Sequence, residues 1–149
     1  MQTEVKAIAE PDLDLVDKLT KIETEAFGEG GLNTWGLVPM IHYGAVFAIF
    51  VGEKPVGLIE YMRSFHQPDL VYLYGFAITK KYRGEGLGRE LLATSLEKIK
   101  DEAKEIILTV DPKNEVAIKL YQSFGFEKTD FSKAEYGVGE DRIIMNLKC

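Results

Sequence analysis

A glycine-rich segment between residues 76 and 89 contains the groups most suited to chemistry. It reads FAITKKYRGEGLGR, an apolar strand-like start followed by Arg83, Gly84, Gly86 and Gly88, and then a helical pattern. Glycine lets backbone amides approach a ligand closely, and a helix N-terminus behind them adds about half a positive charge and unpaired N–H donors. The segment therefore predicts a cradle for phosphate groups.

The spacing separates this segment from two common nucleotide-binding motifs. A dinucleotide-binding turn requires a further glycine, but Gly84 and Gly86 are followed by Arg89 at that position. A P-loop requires a lysine and a Ser or Thr after its last glycine, and no such lysine is present. The pattern that remains is Arg83-x-x-Gly86-x-Gly88.

A second segment, from Asn114 to Phe126, reads NEVAIKLYQSFGF. Asparagine is among the best helix N-caps, and Gly125 stands where a left-handed C-terminal cap belongs. Together, the loop and this segment resemble the GNAT superfamily of N-acetyltransferases. Residues 83–88 are similar to its pyrophosphate-binding signature, [Q/R]-x-x-G-x-[G/A], and residues 114–126 to its N-x-x-A-x-x-L-Y-x-x-x-G-F segment. The resemblance covers the chain from about Val46 onwards.

The resemblance implies acetyl-CoA as co-substrate and assigns backbone groups to it. The strand ending at Ile78 is expected to hydrogen-bond the pantetheine arm as a further strand would, with the Phe76 amide on the acyl carbonyl. Amides of residues 83–89 are expected to wrap the pyrophosphate. The implied cofactor-binding set is Phe76, Ala77, Ile78, Arg83, Gly84, Glu85, Gly86, Leu87, Gly88, Arg89 and Asn114.

The transfer reaction asks little of side chains, because a neutral amine attacks a thioester without an enzyme nucleophile. A donor at the developing oxyanion, a proton for the leaving thiolate and removal of the amine's proton all accelerate it. The resemblance places Tyr121 towards the sulfur. A phenol with an ordinary pKa of roughly 10 stays protonated at neutral pH, so Tyr121 is the candidate general acid. The competing interpretation is a helix tyrosine that only packs on the sheet.

The sequence offers three candidates for the general base, Glu60, His42 and His66. The closest subfamily resemblance is to ribosomal-protein N-terminal alanine acetyltransferases, which carry a glutamate where this chain has Thr109. Threonine cannot serve as a base. Glu60, on a predicted strand, could replace that glutamate as the base and would act through a water molecule. The competing interpretation is a surface glutamate on a strand whose residues alternate between buried and exposed. His42 and His66 are the other candidates for the base. A histidine in such a position more often belongs to a loop or packs in a helix.

Composition limits the setting. The chain has 149 residues, a net charge of −6 and one cysteine, Cys149, at its end, so an internal disulfide is excluded. The acidic balance argues against nucleic acid as a partner. No apolar run is long enough for a membrane span, and the polar N-terminus does not resemble a secretory signal, so we expect a cytoplasmic protein. No metal-ligand spacing is present.

The expected acceptor is a small-molecule amine or a peptide amine. The regions expected to recognise it are residues 27–43, with Trp35, and residues 132–140, with Tyr136. The family resemblance also suggests a homodimer.

Hydrophobic periodicity predicts one α/β domain over residues 1–149, with a mixed, twisted central sheet flanked by helices. The sheet is expected to split between the strands ending near Ile78 and Val110, which would admit the pantetheine arm. Helices are predicted at 12–27, 37–43, 86–100 and 114–124, and strands at 45–51, 56–62, 70–79, 105–110, 126–129 and 142–147.

Two rival functions stay open at this point. One is a catalytically silent acyl-CoA-binding or sensor module, which would keep the glycine loop and which the Thr109 replacement favours. The other is a nucleotide-phosphate binder or kinase-like protein that uses magnesium and ATP. The absence of a P-loop lysine weighs against the second.

Overall fold

A computed structural model describes residues 1–149. Its elements, in chain order, are β1 (Thr3–Ile8), α1 (Leu13–Phe27), α2 (Thr34–Tyr43), β2 (Ala45–Val51), β3 (Lys54–Arg63), β4 (Leu70–Ile78), α3 (Leu87–Ile99), β5 (Glu105–Val110), α4 (Glu115–Ser123), β6 (Glu127–Ser132) and β7 (Arg142–Lys148). Short 3₁₀ turns occupy Gly28–Gly30 and Lys80–Tyr82. None of the helices combines the length and apolar character needed to cross a membrane.

The seven strands form one mixed sheet in the order β1-β2-β3-β4-β5-β7-β6. The β1–β2, β2–β3, β5–β7 and β6–β7 pairs are antiparallel, whereas β4 and β5 are parallel. The parallel ladder joins Leu70–Tyr72 to Glu105–Ile107 and includes no later residue of either strand. The predicted mixed α/β class is confirmed.

The backbone divides into two compact units, residues 1–62 with 74–98 and residues 63–73 with 99–149. In the first unit, α1, α2, β2 and β3 bury an apolar core that includes Leu19, Leu37, Ala48 and Leu58. In the second unit, the fully or nearly fully buried apolar residues include Ile106, Leu108, Phe126 and Met145. The single-domain boundary of 1–149 stays a prediction.

Strand β1 was missing from the sequence-based order, which wrongly began with a helix. The reason is its position at the edge of the sheet, where it pairs with β2 alone. Only Ile8 of its six residues is buried, so the apolar alternation that identifies a strand is weak. Polar residues are common on edge strands because they discourage pairing with another chain.

Helix α2 also begins earlier than expected, at Thr34 rather than residue 37. The Asn33 side chain caps it by accepting a hydrogen bond of 3.1 Å from the Gly36 amide. Pro39 consequently lies in the helix interior and not in the first turn. A proline there removes one backbone hydrogen bond, and this short helix forms despite that loss.

Candidate active site

The glycine loop between β4 and α3 is anchored on both sides. After β4, the Thr79 amide donates to the Val56 carbonyl at 2.8 Å, and the Lys80 amide donates to Glu25 Oε1 at 2.7 Å. Arg83 Nε then donates to the Ile78 carbonyl at 2.9 Å. These bonds fix the start of the loop on the first unit before the glycines begin.

Within the loop, Gly84 and Gly86 adopt φ angles of 80° and 82°. A Cβ placed on either would meet no atom within 4 Å, so backbone conformation, and not crowding, requires glycine here. The next well-formed backbone bond runs from the Glu90 amide to the Gly86 carbonyl at 3.1 Å, and the amides of residues 84–88 have no acceptor in the protein. Amides without acceptors at the start of a helix, beside open space, form an anion cradle.

Helix α4 begins as its sequence predicts. Asn114 Oδ1 accepts a hydrogen bond of 3.1 Å from the Ala117 amide, so the N-cap role is present. The residue is exposed. Gly125 has a φ of 99°, as the left-handed end of this helix requires.

Tyr121 on α4 is 7% exposed and packs edge-to-face on Phe126, with ring centroids 5.6 Å apart. Burial, and to a smaller extent the nearby Tyr72, raises the pKa of the Tyr121 phenol well above its ordinary value. The phenol therefore keeps its proton at neutral pH and is chemically able to donate it. Tyr121 therefore packs on its neighbours, as the competing interpretation expects, and also keeps a proton that it could donate.

Thr109, at the position of the subfamily glutamate, belongs to a cluster of hydroxyl groups. The Tyr72 hydroxyl lies 3.1 Å from Thr109 Oγ1 and 3.2 Å from the Tyr136 hydroxyl, and the Arg142 guanidinium stacks 5.2 Å from the Tyr136 ring. Burial raises the pKa of Tyr72 to about 12. This cluster offers hydrogen bonds but no base at neutral pH. The sequence did not identify Tyr72 as a site residue, because Tyr72 comes close to Thr109 only through the pairing of β4 with β5.

Glu60 is buried, so the expectation of a surface glutamate is wrong. The physical reason is that β3 is an inner strand, between β2 and β4, and residues 55–61 along it are all buried. Its carboxyl occupies the space beside Gly75 of β4, where a Cβ would collide with Glu60 Oε1. An alternating exposure pattern does not apply to a strand covered on both faces.

Glu23 of α1 is the second member of a buried carboxyl pair with Glu60. The two residues are 2% and 0% exposed, and Glu23 Oε2 accepts a hydrogen bond of 3.2 Å from the Leu32 amide. Glu23 Oε1 and both oxygens of Glu60 accept no hydrogen bond from any other residue, so these three oxygens have only the opposite carboxyl group as a partner. Burial first, then the hydrogen bond and charge of Glu23, raises the pKa of Glu60 to about 10. At neutral pH Glu60 therefore keeps its proton.

Sequence reasoning missed Glu23, although a signal was present. It lies one helical turn after Leu19 and directly after Ile22, on the face of α1 that packs into the core. A glutamate on such a face is uncommon unless it has a partner. By contrast, both histidines, Trp35 and Cys149 are exposed.

The strand order and the glycine loop fit an acyltransferase fold, and similarity to known proteins identifies the family. The model of the Acetyltransferase (GNAT) family matches residues 16–126. The chain belongs to this family and is an acetyl-CoA-dependent N-acetyltransferase.

One relative supports the family, and two solved structures share the fold. An N-alpha-acetyltransferase of Sulfolobus acidocaldarius is 36% identical over 87% of this chain and 84% of its own. The ribosomal-protein-S18-alanine N-acetyltransferase of Escherichia coli has a TM-score of 0.83 at 21% identity, covering 99% and 94% of the two chains. A NatC complex crystallised with Gag peptide and CoA has a TM-score of 0.85 at 18% identity, covering 100% and 99%.

The raised pKa of Glu60 generates a stability prediction. Because the native state keeps a proton that the unfolded chain releases above pH 4.5, the free energy of unfolding should fall as the pH rises from 4.5 to about 10. The contribution is at most about 1.4 kcal/mol per pH unit. Glu60→Gln removes this contribution, so urea denaturation should show the variant gaining stability relative to the wild type with rising pH.

The exposed Glu53 of the β2–β3 turn supplies the control. Glu53→Gln should leave the pH dependence of the unfolding free energy unchanged. Curves for Glu60→Gln and the wild type that stay parallel over this range would mean that Glu60 is ionised in the native protein.

Proposed function

We propose that the protein acetylates a primary amine, with the free N-terminus of a peptide or protein as the favoured acceptor class. The loop of residues 84–88, whose amides have no acceptor in the protein, carries the first part of the proposal because it suits the pyrophosphate of acetyl-CoA. The name of the Sulfolobus acidocaldarius relative supports the acceptor class. A small-molecule amine is the alternative acceptor. Family membership favours an enzyme over a silent acyl-CoA-binding module.

When bound, acetyl-CoA supplies the thioester whose acetyl group is transferred. Amides of residues 84–88 would hold its pyrophosphate, aided by the positive end of α3. The Arg83 amide, expected to join them, instead donates to the Lys80 carbonyl at 3.3 Å. Following the family pattern, the Phe76 and Ile78 amides, with Ala77 between them, would hold the pantetheine arm and the acyl carbonyl. Asn114 would contact the co-substrate through the part of its side chain that does not cap α4.

Tyr121 would give a proton to the departing thiolate. Its buried phenol stays protonated at neutral pH, which a general acid requires. The hydroxyl cluster of Tyr72, Thr109 and Tyr136 would contribute hydrogen bonds that position the substrates near Tyr121. It would not supply the base. Glu60 keeps its proton at neutral pH, so a role as the general base requires a second, ionised group beside it. The homodimer and the cytoplasmic location also stay predictions.

The acceptor class is tested by measuring CoA release from acetyl-CoA with purified protein. Peptides with a free N-terminal amine should be acetylated, and the same peptides blocked by N-terminal acetylation should not. Mass spectrometry of the product should place the acetyl group on the α-amine. Turnover with polyamines or aminoglycosides, and none with any peptide, would assign the small-molecule alternative instead.

Tyr121→Phe tests the acid role with a change of one hydroxyl group. We expect kcat to fall by roughly 100-fold, while the dissociation constant of acetyl-CoA stays unchanged, because the ring still packs on Phe126. Steady-state kinetics and calorimetry give the two quantities. Tyr136→Phe, which removes an exposed hydroxyl of the neighbouring cluster, is the comparison variant. A Tyr121→Phe enzyme with wild-type kcat would remove Tyr121 from the mechanism.

A further inference from the structure

We propose that Glu23 and Glu60 act together as a one-proton carboxyl pair that accepts the proton of the acceptor ammonium group. The inference rests on the proposed function and adds Glu23 as a functional residue of the same site. It also gives the reaction a base in a chain that has Thr109 at the position of the subfamily glutamate.

The burial of the pair is the first observation. Both carboxyl groups are almost completely removed from solvent, and three of their four oxygens accept no hydrogen bond from outside the pair. Two adjacent carboxylates cannot both stay ionised in such surroundings, so they share a proton. An unpartnered buried carboxyl normally destabilises a fold, and such groups call for a functional explanation.

The position of the pair is the second observation, and it connects two parts of the first unit. On one side, Glu60 Oε1 fills the side-chain space of Gly75, the residue before Phe76, to which the family pattern assigns the acyl carbonyl. On the other side, Glu23 Oε2 accepts a hydrogen bond from the Leu32 amide. Leu32 lies in residues 27–43, the region expected to recognise the amine substrate. A Cβ at Gly31 would collide with the Glu23 backbone carbonyl, so this region packs directly on Glu23.

The proton balance is complete with the groups named. The acceptor ammonium gives one proton to the singly charged pair, which leaves a neutral amine and two neutral carboxyl groups. The amine nitrogen then forms the C–N bond as the C–S bond breaks, and it loses a second proton, equal in number to the one that the thiolate gains. The pair afterwards returns its proton to water, so each turnover releases one proton overall.

The test uses Glu60→Gln and Glu23→Gln with a peptide that has a free N-terminal alanine. Its amine has a pKa of roughly 7.7–8.0, so kcat is measured below and above that range. Glu23 on α1 is the titratable group that faces Glu60, whereas β2 and β4 present Val46 and Gly75 there. We expect each variant to lose roughly 100-fold in kcat below the amine pKa and to approach the wild type above it.

The recovery at high pH separates proton transfer from structure. Above its own pKa the amine is already neutral, so the variants no longer lack a needed base. Tyr61→Phe is the matched control, because it removes a buried hydrogen bond of 2.8 Å to Ser95 in the same unit. It should lower the melting temperature and change kcat by the same factor at every pH.

Two results would overturn the pair's role while leaving the proposed function intact. One is an unchanged kcat in both variants. The other is a loss that is equally large at all pH values in variants with a native circular dichroism spectrum. A wild-type protein that acetylates neither this peptide nor any other amine would contradict the proposed function itself, and the pair's role with it.

Discussion

The backbone of residues 84–88 is the constraint on which the functional account depends. Gly84 and Gly86 hold φ angles that other residues rarely adopt, and the amides around them have no acceptor in their own chain. Hydrogen bonds from the Lys80 amide to Glu25 and from the Arg83 side chain to the Ile78 carbonyl hold the start of the loop in place. The protein thus maintains unsatisfied donors in a prearranged form, and binding an anion requires little reorganisation.

The Glu23–Glu60 pair is a second place where the fold accepts a local cost. Burial of two carboxyl groups is unfavourable unless they are neutralised or partnered, and the backbone makes room for them by having glycine at residue 75. Both features lie in the first unit, and Tyr121 with the hydroxyl cluster lies in the second. The units therefore differ in chemical character: the first holds the loop amides and the buried carboxyl pair, and the second holds the tyrosine hydroxyls.

Local features were predictable from the sequence. The glycine loop, the Asn114 cap and the bounds of β2 and β5 depend on neighbouring residues, and the structure has them as expected. Features set by distant packing were not. Whether Glu60 faces solvent depends on the strands on both sides of β3, and the contact between Glu23 and Glu60 joins residues far apart in the chain. Strand β1 was not predicted because it lies at the sheet edge and buries only Ile8, so its sequence has no strong apolar alternation.

The central claim is that the loop amides bind the pyrophosphate of the co-substrate. Calorimetry of CoA and of pantetheine, which lacks the pyrophosphate, tests it most directly on the wild type and on Gly86→Asp. A Cβ at Gly86 meets no protein atom within 4 Å, but an aspartate there places bulk and negative charge at the cradle, in a backbone conformation that suits glycine. The account predicts that Gly86→Asp weakens CoA binding at least tenfold, by about 1.4 kcal/mol or more, and leaves pantetheine binding unchanged. Equal affinity of both proteins for CoA would contradict it.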